Sequence, residues 1–127
     1  MTATDHAVTL VPTAARAASD KLAQHLIAFD VSDQLAITDA FLLASGANDR
    51  QVKAIVDEIE EKLRDIGEKP IRREGERDGR WVLIDYGDVV VHVQHEEERQ
   101  FYALERLWRD CPLIELPADV TAGTSSG

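Results

Sequence analysis

Four groups of residues in this 127-residue chain could do chemistry. His92 and His95, with Glu96, Glu97 and Glu98 behind them, offer the imidazole and carboxylate donors that hold a transition metal. Asp85 and Asp88 form a carboxylate pair of the kind that holds magnesium. Cys111 is a nucleophile if its thiolate is stabilised. Ala44-Ser45-Gly46-Ala47 is a small-residue turn of the sort that lets phosphate approach a backbone.

Each group also has a structural reason to exist. Histidines three apart on a strand face opposite sides, which makes His92 a polar strand residue and His95 a helix cap. Asp88 suits a tight turn, and Asp85 sits on the strand before it, facing the Trp81 side. Cys111 precedes Pro112 at a helix end, with only Arg109 to stabilise a thiolate, and reads as structural. The turn after Ala44 lacks the lysine of a phosphate-binding loop and the repeated glycines of a dinucleotide fingerprint. The expectation is a chain with no catalytic residues, no metal and no cofactor.

The elements that position these residues are organised around Arg80 to Gln94. Two β-branched, aromatic-rich runs flank Gly87-Asp88, and a Gly-X loop of two residues predicts a hairpin with a type II′ turn. The register then pairs Tyr86 with Val89, Ile84 with Val91 and Val82 with Val93 on one apolar face. The other face carries Trp81, Leu83, Asp85, Val90, His92 and Gln94, too apolar for solvent and too polar for a core. Either another element of the chain covers it or a partner does.

Around the hairpin, alanines between Ala14 and Ala18 predict a helix whose small-residue face packs closely. Pro12 either precedes its start near Thr13 or marks a kink after an earlier turn from His6 to Val11. The runs from His25 to Val31 and from Ile37 to Ser45 read as neighbouring, centrally placed strands. Asn48 and Gln51 form a capping box ahead of Val52, Ile55, Val56, Ile59, Leu63 and Ile66. That stripe predicts a helix from Asp49 to Ile66, with Gly67 as its stop and Asp57, Glu58, Glu61 and Lys62 in solvent. Glu68 to Arg80 suits a loop with a short edge strand at Ile71 to Glu74. Glu96 to Pro112 predicts one helix with Phe101, Leu104 and Trp108 as a core stripe and Tyr102 and Leu107 beside it. Leu113 to Leu116 docks as a last extended piece. The organisation is one domain over residues 1–116 and a disordered tail from Pro117 to Gly127. The class is α/β (α+β): one mixed sheet with flanking helices.

Composition narrows the function. There are 24 Asp and Glu against 14 Lys and Arg, a formal net charge of -10, which repels nucleic acid and anionic lipid and attracts a basic protein. A single cysteine allows no internal disulfide, the start MTATDHAVTL is not a secretory signal, and no run approaches the ~18 apolar residues of a membrane span. The expectation is a soluble, cytoplasmic protein. Trp81, Asp85, Tyr86, Gly87, Asp88, His92 and Glu97 make an aromatic and acidic set of the kind that forms interface hot spots, although register also fits Tyr86 to the core.

Three segments, DVSDQLAITDAFLLASGANDRQV from Asp30, WVLIDYGDVVVHV from Trp81 and FYALERLW from Phe101, resemble the ribosomal silencing factor family, also called Iojap-related proteins. The resemblance spans roughly Ala7 to Leu116. It implies a nucleotidyltransferase-like fold without transfer activity, because the turn reads Ser45-Gly46-Ala47-Asn48 and Asp85 and Asp88 lack the Asp-x-Asp spacing of the enzymes. It further implies a translational repressor that binds a basic large-subunit ribosomal protein, the fourteenth of that subunit's series, and blocks subunit joining under nutrient limitation or in stationary phase. Carried over to this chain, Trp81 and Tyr86 are the implied anchors, Asp85, Asp88 and Glu97 the partners for basic residues, His92 a support and Gly87 the turn. A homodimer when free is also implied. The alternative is a degenerate nucleotidyltransferase-like protein that binds a nucleotide.

Overall fold

The computed structural model describes residues 4–75 and 79–120. Its elements are α1 (Asp5–Asp20), β1 (Gln24–Asp30), β2 (Ala40–Gly46), α2 (Asp49–Asp65), β3 (Arg72–Glu74), β4 (Trp81–Asp85), β5 (Val89–His95), α3 (Glu96–Tyr102) and α4 (Leu104–Leu107). The strands form one mixed sheet in the order β1-β2-β5-β4-β3. Only β2 and β5 run parallel.

The hairpin register is the one the sequence predicts, with Val82 opposite Val93 and Ile84 opposite Val91. The Tyr86 N–H donates to the Val89 carbonyl at 2.9 Å, closing a loop of two residues. Gly87 supplies its positive φ of 87° while Asp88 stays in the ordinary region, as a type II′ turn requires. One face of the sheet, with Val82, Ile84, Val91 and Val93 all at most 2% exposed, packs under α1 and α2.

Helix α2 begins on its expected cap, the Asn48 side chain accepting from the Gln51 N–H at 2.8 Å. The Gln51 side chain reaches back to the Ala47 N–H, one residue earlier than in a standard capping box. Gly67 (φ 87°) ends it with Gly67 N–H on the Arg64 carbonyl and Glu68 N–H on the Leu63 carbonyl, a Schellman pair. Ile66, expected in the core stripe, falls past the last turn and is exposed. Helix α1 buries Ala7, Ala14, Ala15, Ala17 and Ala18, so the small-residue face packs as expected. Pro12 lies inside this one helix, neither its start nor a boundary between two.

Three expectations need correction. Strand β1 is an edge, not a central strand; its apolar run reads as central because Leu113 bridges to Phe29 and the Ile114 N–H donates to the Ala28 carbonyl, covering the edge with chain. The single helix after Gln94 is two, because Ala103 takes a left-handed conformation (φ 47°) and separates α3 from α4. Phe101 and Leu107 consequently face outward, 81% and 70% exposed. The packed chain also runs past Leu116, with Val120 1% exposed, so the boundary set at Pro117 falls too early. Residues 121–127, the rest of the expected tail, lie outside the described residues. No helix among the described residues is long and apolar enough to cross a membrane.

Candidate protein-interaction surface

The second face of the sheet meets α3 and α4, so the chain itself covers part of the mixed surface. Phe41 on β2 packs edge-on against Trp108 at a centroid distance of 5.3 Å, and Leu104 joins them over Phe29 and Leu43. From there a row of aromatic rings runs across the sheet. Phe41 touches His92 at 5.1 Å, His92 touches Trp81 at 6.1 Å, Trp81 touches Tyr102 at 4.8 Å and Tyr102 touches Phe101 at 5.0 Å. One end of the row is submerged, with His92 7% exposed, and the other stands in solvent, with Tyr102 50% and Phe101 81% exposed. Such rings bring large apolar area at little rotamer cost, which is what a protein partner can bury.

The structure divides the seven residues expected at this surface. Trp81 and His92 lie together in the row, joined by a hydrogen bond from Trp81 Nε1 to His92 Nδ1 of 3.2 Å. Burial, with the Arg99 charge adding, pushes the His92 imidazole down to about 4, so it is neutral at physiological pH. Glu97 opens α3 near Trp81, but Arg80 holds it at 2.7 Å and also holds Glu98 at 2.9 Å. The bond from Arg80 keeps the Glu97 carboxyl below its ordinary value.

Asp85 shares the Trp81 face about 13 Å further along the strand, by the rise per residue. Its Oδ1 accepts from the Gly87 N–H at 2.8 Å and its Oδ2 from Arg72 Nε at 3.3 Å, so it shapes the turn and ties β4 to β3. Gly87 has its turn role. Asp88 points to the far end of the hairpin, where its Oδ2 meets His6 Nδ1 at 2.6 Å, and Glu68 Oε2 meets His6 Nε2 at 3.0 Å. Tyr86 faces α1 and α2, 5% exposed, with its phenol pushed up by burial and by Glu60. It is a core residue, as its register also allowed, and its ring does not reach the Trp81 surface.

Phe101 and Tyr102 are the members of the row that sequence periodicity placed wrongly. Phe101 was expected in the core stripe with Tyr102 beside it, but the left-handed Ala103 ends α3 directly after them and leaves both rings in solvent.

His95 caps α3, its Nδ1 accepting from the Glu97 N–H at 3.1 Å. The cleft where a phosphate would approach the start of α2 is lined by Asn48, Asp49, Arg50, Arg80 and His95. Asn48 and His95 are used there as caps, Arg80 is held by two glutamates, and Asp49 adds a negative charge. Burial raises the Cys111 thiol above its ordinary value, opposite to what a reactive thiolate needs.

Comparison with known proteins places this geometry among relatives. Residues 4–126 match a family described as "Ribosomal silencing factor during starvation". A ribosomal silencing factor of Bacillus subtilis (strain 168) is 45% identical over 103 residues, covering 81% of this chain and 87% of that protein. The crystal structure of a protein from Chromobacterium violaceum superposes with a TM-score of 0.76 at 35% identity, covering 79% of this chain and 83% of that one. A Bacillus halodurans crystal structure superposes with a TM-score of 0.75 at 41% identity, covering 85% and 98%.

Proposed function

The chain belongs to the ribosomal silencing factor family, and on that premise we propose that it represses translation by occupying the large ribosomal subunit and sterically blocking the small one. The contact is a basic large-subunit protein, the fourteenth of its series, at the face where the subunits join, and the setting is nutrient limitation or stationary phase in the cytoplasm. Occlusion needs area and no bond-making, so the protein acts without catalysis.

The observation that carries this reading is the aromatic row, which rises from the buried His92 through Trp81 to the exposed Tyr102 and Phe101. The net charge of -10 favours encounter with a basic surface, and Trp and Tyr are the side chains most often found to dominate binding energy. Trp81 is the central anchor, with Tyr102 and Phe101 extending it; Asp85 and Glu97 lie on the same side. When free, the protein self-associates through the same exposed apolar surface, so a homodimer and the ribosome compete for it.

Sedimentation with separated subunits tests the proposal. The protein comigrates with free large subunits, not with small ones, and its addition lowers the yield of whole ribosomes when the two are mixed. Absence of comigration at low salt would overturn it.

A further inference from the structure

Helices α3 and α4 together contain one buried residue, and it is Arg99, 5% exposed. A helix is ordinarily held by a buried apolar stripe, whereas here the one fully buried anchor is a cation, assisted by the half-buried Leu104 and by the bonds from Arg80 to Glu97 and Glu98. Three directional bonds hold the cation. Arg99 Nε donates to Glu105 Oε2 at 2.8 Å, one terminal nitrogen donates to Ser45 Oγ at 2.8 Å, and the other donates to the His25 carbonyl at 2.6 Å. The guanidinium therefore joins α3 to α4, to β2 and to β1. The His25 backbone holds φ at 55°, in the register shift between Gln24 and Ile27, a conformation side-chain-bearing residues rarely adopt.

The groups beneath and beside the latch do not favour closure. Gln94, level with Ser45 on the neighbouring strand, is 0% exposed, and neither its Nε2 nor its Oε1 has a hydrogen-bond partner among the described residues. His92 Nε2 and Glu105 Oε1 are in the same state. Buried polar atoms without partners regain hydrogen bonds when water reaches them, so lifting α3 and α4 has a compensation on the sheet side. The outward faces of the two helices, Phe101, Tyr102 and Leu107, already meet solvent and resist lifting little.

We infer that Arg99 is the positioning residue of the aromatic surface: it latches α3 and α4 onto β1 and β2, and when the latch opens the two helices lift together and part Tyr102 from Trp81. The functional consequence rests on the reading of that surface as the ribosome contact; the latch itself does not.

Hydrogen exchange followed by mass spectrometry on the full chain tests it. In Arg99→Gln the amides of residues 97–107 exchange about tenfold faster or more than in the wild type, the scale of losing bonds to a buried charge. In Glu105→Gln, which keeps an acceptor oxygen but removes the negative charge that the latch cation is paired with, at a half-exposed position, the same amides accelerate less. The amides of β2 and β5 keep their wild-type protection in both. Tyrosine quenching of Trp81, read in a Trp108→Phe background, falls in parallel because Tyr102 moves away. Unchanged exchange over 97–107 overturns the latch, and so does an equal acceleration across the whole sheet, which makes Arg99 a general core support. Added large subunits slow exchange over 97–107 in the wild type; if they do not while the variants behave as expected, the ribosome contact fails and the latch stands. If Arg99→Gln does not fold, Glu105→Gln decides alone.

Discussion

Trp81 Nε1 donates to His92 Nδ1 at 3.2 Å, and that bond fixes the imidazole as the tautomer with its proton on Nε2. An indole nitrogen can only donate, so Nδ1 must accept, and a second proton on the ring would break the contact. With the folded value near 4 against an ordinary 6.5, the unfolded chain binds the extra proton first as pH falls. Stability from this site is therefore complete above 6.5 and is lost as pH falls toward 4, by up to about 3 kcal/mol. Urea midpoints of the wild type and His92→Gln should converge over that window. Parallel midpoints from pH 7 to 4 would show that His92 does not titrate in this way.

His6 works with the opposite sign. Both of its ring nitrogens face carboxylates, Glu68 and Asp88, which requires both to carry protons, and its value is raised, first by the bond to Glu68 and then by the bond to Asp88. The folded state then binds the proton more tightly. Its contribution is full below 6.5 and declines as pH rises through the raised value. The site is largely exposed, so the effect is small and salt-sensitive. Removing the ring in His6→Gln should erase a shallow loss of stability that the wild type shows at low salt as pH rises above 6.5.

Phe101→Ala separates binding from folding. The ring is 81% exposed, so thermal stability should change by no more than about 0.5 kcal/mol. Cosedimentation with large subunits should weaken in Phe101→Ala and in Tyr102→Ala, and by about 2 kcal/mol or more in Trp81→Ala. Wild-type binding by all three variants would remove the aromatic row from the interface.

Gly87→Ala probes the turn. A Cβ at φ 87° is strained, and it would lie 3.2 Å from Ile71 Cδ1, which can move because Ile71 is 70% exposed. The expected loss is about 1–2 kcal/mol of stability, measured by chemical denaturation, with the hairpin register intact.

What the sequence made legible follows from where local rules decide. Gly87-Asp88 and the alternation on either side specify the hairpin register, and Asn48, Gln51 and Gly67 specify both ends of α2, because turns and caps are contacts between near neighbours. Where distant chain decides, local rules mislead. The break at Ala103 has no glycine or proline to announce it, so Phe101 read as core. Strand β1 read as central because Leu113 and Ile114, more than eighty residues away along the chain, cover its edge. Trp81 and His92 were identified from the mixed pattern of their face, whereas the commitment of Glu97 to Arg80 and of Asp88 to His6 depends on tertiary placement that no spacing reveals.

The parallel contact of β2 with β5 sets the order in which this protein can come into being. Ala40 lies beside Val89 and Gly46 beside His95, so the inner edge of β2 stays open until residues 47–88 and then β5 have been synthesised. Contacts of such long sequence separation form slowly, and an open strand edge invites pairing with other chains. A nascent chain halted before Val89 holds two helices, a β1-β2 ribbon and a β3-β4 ribbon, without the strand that joins the two ribbons into one sheet. A protein proposed to silence ribosomes thus cannot assume its binding shape until a ribosome has made β5 and the two helices that follow it.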